Sequence, residues 1–164
     1  MTKWTIAADP ELCFDCKACE VACKQEHNLP VGPRWIQVVT VGPRMVGGKL
    51  KVDFVPKMCV HCANPPCAEA CPVDAIQRRE DGIVLIDEKL CNGCLACLPA
   101  CPFAVISFDP DTQRASKCNL CVDRIEQGLQ PACVKHCEAG ALFAGDANTV
   151  AQEMRKERAQ RSGV

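Results

Sequence analysis

Residues 91–102, Cys91-Asn92-Gly93-Cys94-Leu95-Ala96-Cys97-Leu98-Pro99-Ala100-Cys101-Pro102, contain the pattern that determines the architecture of this chain. Three cysteines at x2, x2 spacing come from one short loop, so their sulfur atoms can converge on one compact object. The fourth cysteine lies just beyond the loop, and the proline after it restricts the backbone. C-x2-C-x2-C-x3-C-P is a ligand run for 4Fe-4S clusters, in which the fourth cysteine ligates the second cluster of a pair.

The whole chain of 164 residues carries sixteen cysteines, and they fall into four groups of four. Along the sequence the groups are Cys13, Cys16, Cys19, Cys23; Cys59, Cys62, Cys67, Cys71; Cys91, Cys94, Cys97, Cys101; and Cys118, Cys121, Cys133, Cys137. The first and third groups have the full spacing, the second has a longer middle gap, and the fourth has a long insertion. Four groups of four predict four 4Fe-4S clusters, with no cysteine missing and none left over.

The rule that the distal cysteine of a run ligates the partner cluster predicts four ligand sets. The second and third groups are adjacent and both carry Cys-Pro, so we expect them to exchange distal cysteines; the first and fourth groups then do the same. Set 1 is Cys13, Cys16, Cys19 and Cys137; set 2 is Cys59, Cys62, Cys67 and Cys101; set 3 is Cys91, Cys94, Cys97 and Cys71; set 4 is Cys118, Cys121, Cys133 and Cys23. The clusters then form the core, and the apoprotein is predicted to be largely unfolded.

Two other uses of so many cysteines need to be weighed. Zinc takes four thiolates, but a C-x2-C-x2-C triplet places too many sulfurs in one loop for one tetrahedral ion. Disulfides require an oxidising compartment, and the first ten residues contain no apolar export signal, twin arginine or cleavage site. We therefore expect a cytoplasmic protein, and a structural zinc-binding protein is the alternative from a different class.

Charge and hydropathy exclude two further classes. The chain has 19 Lys and Arg against 20 Asp and Glu, a net charge of -1, so no basic field favours nucleic acid. Residues 90–108 carry no charge and are long enough to span a membrane by count. They contain four cysteines and two prolines, so we interpret them as a metal-site loop and expect no direct membrane insertion.

The segments between the cysteines predict an α+β fold of short helices, short antiparallel hairpins and many loops. Residues 37–41 and 50–55 form one predicted hairpin around Gly47-Gly48, and Asp81-Gly82 begins a second before the predicted strand 83–87. A short helical turn is predicted after the last cysteine of the second, third and fourth groups. The tail, residues 149–161, predicts a solvated charged helix that opens with a capping box from Thr149 to Gln152.

Several stretches make the chain similar to a known family, the four-cluster ferredoxin-like electron-transfer subunits of the dimethyl sulfoxide reductase, polysulfide reductase and hydrogenase-4-component type. The matching stretches are residues 19–30, 62–67, 81–84, 117–124 and 131–134. The resemblance implies tandem bacterial-ferredoxin-like modules with the four clusters in a row. It implies an outer module of residues 1–30 and 107–146, an inner module of residues 31–106 with a hairpin insertion at 35–56, and a charged C-terminal helix or tail at 147–164.

The same resemblance implies one-electron relay by a subunit with no catalytic site of its own. The sequence has no nucleophile beside a base, no phosphate-binding glycine loop and no dinucleotide fingerprint. The implied partner is a large tungsten or molybdenum pterin subunit, with a flavin/NAD subunit as a second partner. In size and pattern the chain resembles the small iron-sulfur subunit of tungsten aldehyde oxidoreductases. Carriers of hydrogenase, formate dehydrogenase or carbon monoxide dehydrogenase, and self-association into a longer wire, stay open.

Histidines and lysines beside the cysteines have two possible roles each. The residues concerned are His27, His61 and His136, and Lys57, Lys117 and Lys135. A histidine N–H near a sulfur tunes a cluster or couples its reduction to a proton, whereas most histidines only pack. A cation near a cluster raises its reduction potential, whereas most lysines are solvated ion-pair partners. The sequence leaves the choice open.

Overall fold

The computed structural model describes residues 3–163, which form small helices and two-stranded antiparallel sheets. The strands are β1 Trp4–Ala8, β2 Ile36–Val46, β3 Lys49–Met58, β4 Ile76–Arg78, β5 Val84–Ile86, β6 Ser107–Asp109, β7 Arg114–Ser116 and β8 Leu142–Asp146. The helices are α1 Ala18–Glu26, α2 Pro66–Glu69, α3 Cys97–Ala100, α4 Val122–Ile125, α5 Ala132–Lys135 and α6 Ala147–Ser162. The predicted α+β class with short helices and antiparallel strands is confirmed.

The strands pair within residues 3–163 as β1–β8, β2–β3, β4–β5 and β6–β7. In the first pair Trp4 lies opposite Asp146 and Ala8 opposite Leu142, so the two ends of the chain share one sheet. The Trp4 N–H also donates to the Asp81 carbonyl oxygen at 3.1 Å. Both hairpins predicted from the sequence are present, as β2–β3 and β4–β5.

The β2–β3 hairpin is longer than the predicted strands and projects from the rest of the chain. Its base is buried at Ile36, Val38 and Met58, whereas its outer half is exposed. Glu20 anchors the base, because its carboxylate accepts the Val38 N–H at 2.8 Å and pairs with the Arg34 guanidinium at 2.7 Å. The hairpin is therefore held to α1 between two cysteines of the first group.

Cysteines and apolar side chains form the core together. One buried cluster contains Ile6, Ile36, Val38, Met58, Ile83, Leu120, Val122, Ile125 and Leu142 with Cys19, Cys23 and Cys133. A second contains Ile76, Val84 and Ala115 with Cys67 and Cys97. Ala115 belongs to β7, so the β6–β7 hairpin packs beside cysteines of the second and third groups.

The short helices precede the distal cysteines, whereas the sequence predicts helical turns after them. α2 and α5 end before Cys71 and Cys137, and α3 ends before Cys101. After each distal cysteine the chain makes a turn, with a left-handed residue three positions on: Asp74 (φ 50°), Ala104 (φ 50°) and Gly140 (φ 61°). The prediction of a helical turn there is wrong, because the backbone must reverse to enter the next strand.

The C-terminal helix α6 begins at Ala147, two residues before the predicted capping box. Its N-cap is Asp146, whose carboxylate accepts the Asn148 and Thr149 N–H groups, so a box starting at Thr149 is wrong. Much of α6 is exposed, but Val150 is buried. Arg161 also pairs with the buried Asp9 at 2.7 Å, so the helix is docked on the N-terminal segment.

Candidate metal centres

The four cysteine groups share a backbone conformation that the sequence did not reveal. The residue two positions after the first cysteine of every group is left-handed: Asp15 (φ 62°), His61 (φ 49°), Gly93 (φ 72°) and Leu120 (φ 59°). This conformation costs an L residue about 1–2 kcal/mol. Because the four loops all adopt it and three of them do so without glycine, a shared structural demand must maintain it. A glycine signals the turn in the third group alone.

Backbone N–H groups contact cysteine sulfurs at equivalent positions in the second and fourth groups. The contacts are Ala75 N to Cys71 Sγ at 3.3 Å, Ala141 N to Cys137 Sγ at 3.3 Å, His61 N to Cys59 Sγ at 3.5 Å and Leu120 N to Cys118 Sγ at 3.4 Å. The matching offsets show that these two groups are structural repeats. Such donors stabilise negative charge on sulfur, as a metal-bound thiolate requires.

Two cavities are lined by cysteines of the second and third groups. One is lined by Cys59, Cys62, Cys67 and Cys101, and the other by Cys71, Cys91, Cys94 and Cys97. Each cavity thus combines three cysteines of one group with the distal cysteine of the other. Among residues 3–163, no three His, Cys, Asp or Glu side chains form a site for one metal ion. Four sulfurs around such a cavity fit a cluster of several atoms.

The first and fourth groups are brought together in the same manner. Burial raises the pKa of the Cys19 thiol to about 11, and the neighbouring thiols of Cys137 and Cys13 add to the rise. Burial also raises the pKa of Cys23, and Cys118 and Cys121 add to it. The distal cysteine of each group therefore lies near thiols of the other group. The assignment of individual ligands to clusters stays a prediction.

Thiols of different predicted sets meet at three places. Cys19 and Cys23 share one buried cluster, Cys59 and Cys118 share another, and Cys67 and Cys97 a third. Burial is the largest cause of the raised pKa of Cys23, Cys118 and Cys97. In each of them the thiol of the other set raises the pKa further. The shared buried clusters thus link cysteines of all four groups.

Burial has one chemical consequence for these thiols. It raises the pKa of Cys118 to about 12 and that of Cys133 further still, so these groups are protonated at neutral pH without a metal. Iron must displace these protons, because the thiolate is the form that ligates metal. The sixteen cysteines are thus a donor set that fits the 4Fe-4S group once iron has displaced the protons.

His61 and Lys117 are joined through the backbone of one strand residue. The Val84 N–H donates to His61 Nδ1 at 3.0 Å, while Lys117 Nζ donates to the Val84 carbonyl and, at 3.1 Å, to the Cys118 carbonyl. Burial, together with the nearby Lys117 charge, lowers the pKa of His61 to about 3. His61 is therefore neutral, with its proton on Nε2.

The other candidate histidines and lysines differ from these. His27 Nε2 lies 3.2 Å from Cys121 Sγ, its ring packs 4.6 Å from that of Trp35, and burial lowers its pKa. His136 Nδ1 lies 2.9 Å from the Ala132 carbonyl oxygen of its own helix. Lys57 and Lys135 are exposed. The structure therefore selects His27, His61 and Lys117 as the residues placed to influence a cluster.

Comparisons with known proteins bear on these sites. Two family models match, both described as a 4Fe-4S dicluster domain, over residues 50–147 and 12–75. The putative dimethyl sulfoxide reductase iron-sulfur subunit of Halobacterium salinarum is 38% identical over 89% of this chain and 67% of its own length. A tetrathionate reductase subunit of Salmonella typhimurium is 41% identical over 88% and 58%. The thiosulfate reductase electron transfer subunit of Salmonella typhi is 41% identical over 87% and 76%.

The fold and the cysteine-lined cavities define an iron-sulfur protein of the ferredoxin type. The chain belongs to the family of 4Fe-4S dicluster iron-sulfur subunits, and with two dicluster domains and sixteen cysteines it holds four 4Fe-4S clusters. The predicted family and cofactor are confirmed. It is an electron-transfer subunit and not the catalytic one. The chain spans 58% to 76% of the length of these relatives. No helix among residues 3–163 is both long and apolar enough to cross a membrane.

Proposed function

We propose that the chain relays single electrons along its four clusters, in the order set 1, set 4, set 2, set 3. The observation that carries this order is that Cys19 and Cys23, Cys118 and Cys59, and Cys67 and Cys97 each share one buried cluster. A set that contacts two others lies between them. Sets 1 and 3 therefore lie at the two ends of the relay, where partners exchange electrons.

The clusters supply one-electron oxidation and reduction when bound. The chain holds them in apolar surroundings, because residues such as Val60, Pro66 and Val105 line the set 2 cavity beside its cysteines. Sets 1 and 4 belong to an outer module of residues 1–30 and 107–146, and sets 2 and 3 to an inner module of residues 31–106. The sharing of β1–β8 by the chain ends supports this division. The packing of Ala115 beside Cys67 and Cys97 extends the inner module's contacts to β7.

The partner at one end is a large pterin-dependent catalytic subunit that holds tungsten or molybdenum. Relatives named as subunits of reductases support such a complex. Within this class we favour a tungsten aldehyde oxidoreductase, with a flavin/NAD subunit at the other end or further copies of this chain in a longer wire. Sixteen cysteines that serve as cluster ligands support a reducing compartment, the cytoplasm, as the location of the protein.

The test is anaerobic isolation of the tagged chain with its native partners, followed by measurement of iron, zinc, tungsten, molybdenum and nickel. We expect about sixteen iron atoms per chain, four per cluster, together with tungsten or molybdenum and a large pterin-binding subunit. Iron at that level with nickel would instead identify a carrier of a hydrogenase or carbon monoxide dehydrogenase. Four zinc ions and no iron would overturn the proposal.

A further inference from the structure

Lys117 is a cation buried without a counter-ion. It is 4% exposed, and among residues 3–163 no carboxylate lies within ion-pair distance of its ammonium group. Its donors go to two backbone carbonyls, those of Val84 and Cys118. An isolated buried charge costs several kcal/mol unless an opposite charge compensates it. Something other than an Asp or Glu side chain must therefore balance Lys117.

The balancing charge is available at the set 2 cavity. Lys117 lines that cavity together with Cys59, Cys62, Cys67 and Cys101. Burial raises the pKa of the Cys67 thiol, and the Lys117 charge is the largest influence that opposes the rise. Lys117 also acts against the raised pKa of Cys62. A 4Fe-4S unit with four thiolates carries a charge of about -2 when oxidised and gains one more negative charge on reduction.

Lys117 lies beside set 4 as well, because its ammonium binds the Cys118 carbonyl and its charge opposes the raised pKa of the Cys118 thiol. Other charges also act on set 4: Glu26, Asp123 and Arg124 act on Cys121, and Lys24 acts on Cys23. Among the charges that act on Cys62 and Cys67, Lys117 is the one that does not belong to another cysteine. Set 2 therefore depends on Lys117 for a compensating cation.

We propose that Lys117 is a positioning residue for the electron: its buried ammonium balances the charge of the set 2 cluster and raises the reduction potential of that cluster. The inference rests on the proposed ligand sets. Val84 keeps the ammonium in place, because its carbonyl accepts from Lys117 while its N–H donates to His61. Loss of the ammonium is thus expected to make the set 2 cluster harder to reduce.

The experiment is a potentiometric titration of the holoprotein followed by electron paramagnetic resonance. Lys117→Gln removes the charge but keeps a hydrogen-bond donor for the two carbonyls, and Lys117→Arg keeps the charge. Lys57→Gln is the matched control, because Lys57 lies two residues before Cys59 yet is exposed. Cys62→Ser and Cys121→Ser assign the signals of sets 2 and 4, because a ligand change alters the signal of its own cluster.

We expect Lys117→Gln to lower the equilibrium constant for reduction at set 2 at least tenfold, a midpoint shift of about 59 mV. Lys117→Arg and Lys57→Gln should leave the midpoint potential of set 2 unchanged. A shift no larger than that of Lys57→Gln, or an equal shift at all four clusters, would overturn the inference. Should Lys117→Gln fail to load iron, Lys117→Met is titrated in its place, and an unchanged set 2 potential in that variant refutes the inference. Iron below sixteen atoms in the wild-type protein would instead refute the four-cluster relay itself.

Discussion

Gly93 allows a sharp test of how the set 3 loop is built. It lies between Cys91 and Cys94 with φ at +72°, and a Cβ added there would lie 2.2 Å from the Gln113 backbone oxygen. Gly140, in the turn after Cys137, has φ at +61° and no atom within 4 Å of an added Cβ. Gly93→Ala and Gly140→Ala therefore share the conformational cost and differ in the collision.

The conformational cost is about 1–2 kcal/mol for each variant. Gly93→Ala must also move backbone by about 1.2 Å, the difference between 3.4 Å for ordinary contact and 2.2 Å. Such overpacking adds about 1–3 kcal/mol. We therefore expect Gly93→Ala to lose about 2–5 kcal/mol of folding stability and Gly140→Ala about 1–2 kcal/mol. The loss in Gly93→Ala should be concentrated at the set 3 cluster.

The assay follows the loss of iron from each holoprotein to a chelator as the temperature is raised, because unfolding of a cluster protein is irreversible. Gly93→Ala should lose the first quarter of its iron well below the wild-type temperature, and the set 3 paramagnetic signal should disappear first. Gly140→Ala should stay within a few degrees of the wild type. Equal behaviour of the two variants would refute the argument that Gly93 is required by the approach of the β6–β7 turn.

Three further predictions concern the chain as a whole. Removal of iron should unfold most of the protein, seen as loss of far-ultraviolet circular dichroism, because the clusters replace a conventional core; a folded apoprotein would contradict this. Burial alone raises the pKa of Asp9, but the Glu11 N–H and two arginines lower it overall, so Asp9 is ionised at neutral pH. Asp9→Asn should weaken the docking of α6 by about 1–3 kcal/mol. Limited proteolysis should then release the tail with all iron retained, and an unchanged cleavage rate would refute the role of the Asp9 ion pairs. Finally, Cys23→Ser and Cys118→Ser should alter the same paramagnetic signal while Cys19→Ser alters another, whereas one shared signal for Cys19 and Cys23 would contradict the predicted exchange between the outer groups.

The cysteine spacing predicted the cofactor, because ligand runs have few alternatives that use all sixteen sulfurs. The segments between the cysteines predicted the α+β class, and the resemblance of several short stretches gave the family. Gly47-Gly48 and Asp81-Gly82, each followed by a predicted strand, indicated the two hairpins. These features depend on residues close together in the chain. Local sequence is sufficient for them.

Other features depend on residues far apart and could not be predicted. The burial of Lys117 follows from β5 passing over it, and the ion pair of Asp9 with Arg161 joins opposite ends of the chain. The left-handed residues at Asp15, His61 and Leu120 are imposed by the wrapping of each loop, against the preference of the residue. The start of α6 was misplaced because Asp146 is also the last residue of β8.

The pairing of β1 with β8 has a consequence for biosynthesis. The two inner cavities are lined by residues 59–117, so their walls are complete once the ribosome has passed that point. The outer sheet needs Leu142–Asp146, which are made after the residues that line both inner cavities. The cysteines of the first group therefore emerge before those of the inner cavities but must wait, unprotected from oxygen and stray metals, until Leu142–Asp146 have been made. Insertion of iron is thus expected to run from the middle of the chain outward.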